Sequence, residues 1–188
     1  MAFASFLTPS LVLSQGLRLT TASIAEVQYY NSAAYRRMEQ VYRGNQDAEI
    51  VTMMFPKATI QLLLDLEEAW WPTFTTKAAK TILWQTKNGN LVTGFKPECI
   101  VKTNQTLIEL ETFKLVENFY ATQVSDNANI NLKDKYNYDT ARDRYLDKWS
   151  ECMEAMHFYD VNQDGVISKI EENNDIDSNY YSSDRRYF

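Results

Sequence analysis

The chain has 188 residues, 45% of them hydrophobic and 13% aromatic, which is enough apolar material for a buried core in one domain or two small lobes. Its net charge of −6 argues against nucleic acid, whose phosphates would repel it, and suits a protein that holds cations or basic helices. Two cysteines, Cys99 and Cys152, make no disulfide framework and fit a reduced intracellular setting; a single histidine, His157, argues against His-based zinc chemistry and a Ser–His triad.

Residues 1–23 read as an arm, extended or partly helical. Phe3 to Leu13 is apolar, but Pro9 and Ser10 interrupt it and no Lys or Arg precedes Arg18, which weighs against a secretory signal. No window approaches the roughly 20 apolar residues of a membrane span. Thr20, Thr21 and Ser23 are candidate N-caps for a helix from about Ile24 to Tyr42. A polar stretch, Arg43 to Asp47, follows, and then Ile50 to Phe55, stopped by Pro56. Ala58 to Trp71 reads as a Leu-rich helix that ends before Pro72. Beyond it, Thr75 to Trp84 reads as a further helix, or Thr81 to Phe95 as a hairpin around the turn signal Asn88-Gly89. Thr106 to Thr122 is helical by the spacing of Ile108, Phe113, Leu115, Val116, Phe119 and Tyr120. Ser125 to Asn131 is polar and turn-like. Thr140 to Tyr159 is an amphipathic helix whose stripe is Tyr145, Trp149, Cys152, Met153, Met156 and Tyr159. A polar tail closes on Tyr187-Phe188.

The segment Asp160 to Glu171 carries the chemistry. It matches D-x-[DN]-x-[DN]-G-x₅-E at every position. A hard cation such as Ca²⁺ needs six to eight oxygen ligands. Asp160, Asn162 and Asp164 supply side-chain oxygens at positions 1, 3 and 5, and Val166 a backbone carbonyl at position 7. Ser168 at position 9 ligates directly or through a water, and Glu171 at position 12 closes the shell with both oxygens. Gly165 at position 6 allows the sharp turn. Ile167 at position 8 would pair with a partner loop in a short β-bridge. Upstream, Gln123 to Asp134 fits as a degenerate loop, with Ser125, Asn127, Ile130 and Asp134 at positions 3, 5, 8 and 12.

These residues resemble the calmodulin-like EF-hand family. The family's paired hands imply two more loops: Arg43 to Met54, with Asn45, Asp47 and Ile50 at positions 3, 5 and 8, and one beginning near Trp84 with Asn88-Gly89 and Leu91. The resemblance implies an all-α fold of paired EF-hands in two lobes, with short β-bridges between loops. It divides the chain into an arm (1–23), a degenerate N-lobe (24–103) and a C-lobe (104–188) with one intact site. The residues after position 12, Glu172 to Asp175, are polar where the family has apolar ones, which places its calcium-opened groove in doubt.

Other candidates read more plainly. Asp65, Glu67 and Glu68 make a solvated face, Trp70-Trp71 a buried pair, Cys152 a core thiol and His157 a surface residue. No nucleophile, base or cofactor loop points to an enzyme. The expected function is a calcium-binding, light-chain-like subunit that clasps an amphipathic helix of a larger assembly. The resemblance suggests a cytoplasmic setting on cytoskeletal or ciliary machinery. The alternative is a static subunit of an organellar or extracellular complex, with Ca²⁺ as a structural staple.

Overall fold

The computed structural model describes residues 18–70, 95–125, 132–155, 158–160 and 165–167. These are mostly helical: α1 (Ile24–Tyr30), α2 (Ser32–Tyr42), α3 (Gln46–Glu49), a π segment (Ile50–Met54), α4 (Phe55–Asp65), a second π segment (Leu66–Trp70), a 3₁₀ turn (Pro97–Cys99), α5 (Gln105–Ser125) and α6 (Leu132–Ala155). The described residues include one isolated antiparallel bridge, Ile100 with Tyr159, and no longer strand.

Local chemistry sets the helix ends. Ser23 caps α1 by accepting the Ala25 N–H at 3.2 Å, while the Glu26 carboxylate accepts the Ser23 N–H at 2.8 Å. The helix expected to run unbroken to Tyr42 is interrupted at Asn31, whose φ of −136° and ψ of 45° are not helical. Buried Asn31 turns its amide toward the Thr112 hydroxyl at 3.5 Å, and this long-range bond competes with the helical path. Arg43 and Gly44 then reverse the chain with φ of 51° and 86°. From Gln46 onward the chain is helical again, and Pro56 does not stop it. Pro56 lies in the first turn of α4, after a π segment whose wider turns accommodate the missing N–H.

Arg43 to Met54 is therefore no loop. Asn45 precedes α3, Asp47 lies on α3 and accepts the Tyr35 hydroxyl at 2.7 Å, and Ile50 is fully buried. The hand proposed near Trp84 and the Asn88-Gly89 hairpin fall outside the described residues, as do Trp71 and His157.

Helix α5 is the centre of the packing. It meets α1, α4 and α6, with α6 its most extensive partner. The pair is antiparallel: Glu109 faces Lys148 (2.5 Å), Lys114 lies 4.3 Å over the Tyr145 ring, and Phe119 and Tyr120 share a core cluster with Ala141. Only residues 126–131 separate the two helices. Gln123 and Ser125 lie at the end of α5 and Asp134 on α6, while Asn127 and Ile130 of the degenerate third loop lie outside the described residues.

Two apolar clusters form the core. One gathers Leu19, Leu62, Leu66, Cys99, Ile100, Leu107, Leu110, Tyr145, Cys152, Phe158 and Tyr159; the other runs from Val27, Met38 and Phe55 to Leu115 and Phe119. Each fully buried leucine contributes about 1.5–3 kcal/mol. Both clusters draw on residues before 103 and after 104, so among the described residues the apolar packing crosses the division expected there. Cys152 is a core thiol, as expected, and burial pushes it up to about 12. Asp65 keeps 42% of its side chain exposed, and it also accepts the Tyr145 hydroxyl at 2.9 Å and lies 3.7 Å from Lys114.

At the middle of α5 sits Glu111, with no exposed surface. The Thr20 hydroxyl donates to its carboxylate, and the Thr59 hydroxyl donates at 2.6 Å. Burial raises its pKa above the ordinary 4.5; the two hydroxyls and the Arg18 charge oppose the rise. Between 4.5 and that higher value the native state binds more protons than the unfolded chain, so this group's contribution falls as pH rises through the window. The stability of Glu111→Gln relative to wild type is therefore expected to climb with pH, by at most about 1.4 kcal/mol per unit. Urea unfolding at a series of pH values above 4.5 measures it, and parallel curves would show that Glu111 takes up no extra proton on folding.

Candidate metal centre

Helix α6 delivers the chain to the motif differently from the pattern's expectation. The described helix ends at Ala155, Phe158 is in a turn, and Tyr159 is extended. What holds this segment is a neighbour in space. The Val101 N–H donates to the Phe158 carbonyl at 2.7 Å, and the Asp160 N–H donates to the Cys99 carbonyl at 2.8 Å. These two bonds flank the Ile100–Tyr159 bridge.

Side chains deepen the lock. Tyr159 is fully buried and stacks on Phe95, with centroids 5.8 Å apart and planes at 17°. Its hydroxyl accepts the Lys96 N–H at 2.8 Å. Burial holds the Tyr159 phenol well above its ordinary pKa, so it stays neutral. Phe158 is buried beside it in the same cluster.

Asp160 follows directly and is only 6% exposed. Its Oδ2 accepts the Gly165 N–H at 2.8 Å. Gly165 has φ +86°, in the left-handed region, and a Cβ there would meet nothing within 4 Å. Glycine is favoured at this position by backbone conformation and not by lack of space. Val166 is 66% exposed and Ile167 is half-buried. The structure thus brings together positions 1 and 6 of the motif. Asn162, Asp164, Ser168 and Glu171 lie outside the described residues, and among the described residues no three acidic, His or Cys side chains form a metal-holding group. A buried oxygen donor beside a left-handed glycine fits a hard cation. The described residues show no bridge at Ile167, and their one isolated bridge joins Tyr159, one residue before the loop, to Ile100.

Two polar clusters escaped the sequence reading. Glu111 stands in the spacing Leu107, Ile108, Glu111, Leu115, an apolar helix face with a carboxylate at its centre, and that interruption is a readable signal. Lys114, held by Glu117 at 3.0 Å and by Asp65, ties α4, α5 and α6 together through Tyr145. Glu117 is a local i,i+3 partner, but Asp65 and Tyr145 are far away in sequence and leave no local signature. No described helix is long and apolar enough to cross a membrane.

No protein-family description, no curated protein and no solved structure matches this chain.

Tyr159→Phe keeps the ring and removes the acceptor of the Lys96 N–H, leaving a part-buried donor without it. Urea unfolding is expected to show a loss of about 1–3 kcal/mol, with an unchanged denaturant slope. An unchanged midpoint would mean that the Tyr159 hydroxyl adds nothing measurable to the ring packing and backbone bonds that hold this segment.

Proposed function

We propose that this protein binds one Ca²⁺ in the loop from Asp160 to Glu171 and works as a non-catalytic, light-chain-like subunit that engages a protein partner. The observation that carries the calcium half is the bond from the Gly165 N–H to Asp160 Oδ2 at φ +86°. It links position 1 to position 6 across the chain reversal that a calcium loop requires. Asp160, Asn162, Asp164, the Val166 carbonyl, Ser168 and Glu171 would form the oxygen shell. The ion would supply concentrated positive charge where carboxylates otherwise repel one another.

One observation favours the ion as a structural staple over a sensor. The segment leading into the loop is already fixed, with Phe158 and Tyr159 in the core and Asp160 bonded to Cys99. An ion at this point would anchor the loop and the chain after it to the helical body, without opening a groove. The partner half rests on the resemblance and on the acidic charge, which suits a basic amphipathic helix on a cytoplasmic, cytoskeletal or ciliary assembly.

Isothermal titration of wild type with CaCl₂ is expected to give one site, and Glu171→Gln to give no heat. Equal heats from both proteins would sink the assignment. Gly165→Ala is expected to weaken binding roughly 5- to 30-fold, because forcing a Cβ into the left-handed region costs about 1–2 kcal/mol. Gly165→Asn should lose less, since asparagine tolerates that conformation.

A further inference from the structure

We infer that the N-terminal strap, residues 18–23, and the calcium loop are energetically coupled through residues 95–102, so that Ca²⁺ holds the strap down and a docked strap tightens Ca²⁺. The inference rests on the calcium reading above and adds a regulatory consequence to it.

Residues 95–102 have two working edges. On one, the Lys102 carbonyl accepts the Thr21 N–H at 2.9 Å, with the Thr21 hydroxyl at 3.4 Å. On the other, Val101 and Cys99 pair with Phe158 and Asp160. Neighbouring residues 101 and 102 thus serve opposite partners, and a shift of this segment disturbs both. The coupling has an apolar component as well. Leu19 from the strap packs in the same buried cluster as Cys99, Ile100, Phe158 and Tyr159.

The strap is suited to respond. It is six residues without helix, held by contacts that other elements supply. Arg18 lies 3.8 Å over the Phe55 ring and donates to the Ala22 carbonyl at 2.6 Å. Thr20 reaches Glu111, and Ala22 is buried in the second cluster. An ion bound next to Asp160 would restrain the already packed residues 158–160 further and, through their bonds to Cys99 and Val101, residues 99–101. The strap then docks against a surface already in place and loses less entropy in doing so. Linkage makes the effect reciprocal. The strap also fixes the point at which residues 1–17 join the helical body, so calcium would set how firmly that junction is held.

Amide exchange on the full-length protein, with and without saturating Ca²⁺, tests the coupling. The Thr21 amide is expected to exchange at least about 5-fold more slowly with calcium, while the Gly44 amide, bonded to the Glu39 carbonyl in the turn closing α2, is unchanged. Reciprocally, Leu19→Ala is expected to weaken calcium binding at least about 5-fold by calorimetry. If Leu19→Ala fails to fold, the wild-type exchange comparison decides. If wild type takes up one Ca²⁺ while Thr21 exchange does not change, or Gly44 slows equally, the coupling is overturned and the calcium reading stands. If wild type takes up no Ca²⁺, both fall.

Discussion

A carboxylate with no exposed surface joins three distant stretches of this chain. Glu111 on α5 receives hydroxyl donors from Thr20 in the strap and Thr59 on α4. Taking a carboxylate out of water costs several kcal/mol unless donors replace the water, so the donors are obligatory once the helix is buried. That requirement fixes the strap across α4 and α5. It also explains why a segment with no regular structure is buried at Leu19, Thr20 and Ala22. Without the strap, Glu111 would lose one of its two hydroxyl donors.

The same helix organises the other half of the molecule. Lys148 on α6 reaches Glu109, and Lys114 reaches Asp65 on α4 and the Tyr145 ring on α6. The three helices are thereby set in register before the chain arrives at Phe158. Leu107 and Leu110 of α5 lie in one cluster with Phe158 and Tyr159, so the approach to Asp160 is part of the core. A loop attached in this way inherits the rigidity of the body. A cation held there would act on a fixed scaffold, which suits anchoring better than opening.

Helices α5 and α6 were legible because their apolar spacing is long and regular: Leu115, Phe119, Tyr145 and Cys152 are buried where the pattern puts them. Ser23 was readable as a cap. What escaped depends on partners remote in sequence. Asn31 breaks a good helical pattern because it meets Thr112, and Asp65, still partly exposed, gains two partners in Tyr145 and Lys114. The apolar packing across 103/104 was hidden for a related reason: α5 brings residues from both sides into common clusters. At the candidate site, the motif marked Asp160 and Gly165, but not the bond between them. The pairing of Cys99–Val101 with Phe158–Asp160 was not legible either, since it joins segments that share no pattern.

Loop patterns differ in how much geometry they contain. In Arg43 to Met54 and Gln123 to Asp134 the matches rest on polar residues at positions 3 and 5 and an apolar residue at position 8, joined in the second by Asp134 at position 12. An amphipathic helix meets those conditions too, because polar residues two apart and an apolar residue further on also describe a helix face turning toward a core. Arg43 to Met54 is helical from Gln46 onward, while Gln123 to Asp134 is described only at its two ends, which are helical. Asp160 to Glu171 differs at position 1, an acceptor, and at position 6, a glycine. Those two residues meet through the Gly165 N–H and the Asp160 carboxylate. A chain reversal needs that pair, and a helix has no use for it: glycine weakens a helix interior and Asp competes for its amides. The discriminating content of the pattern therefore lies in positions 1 and 6, and the count of matched oxygens is secondary.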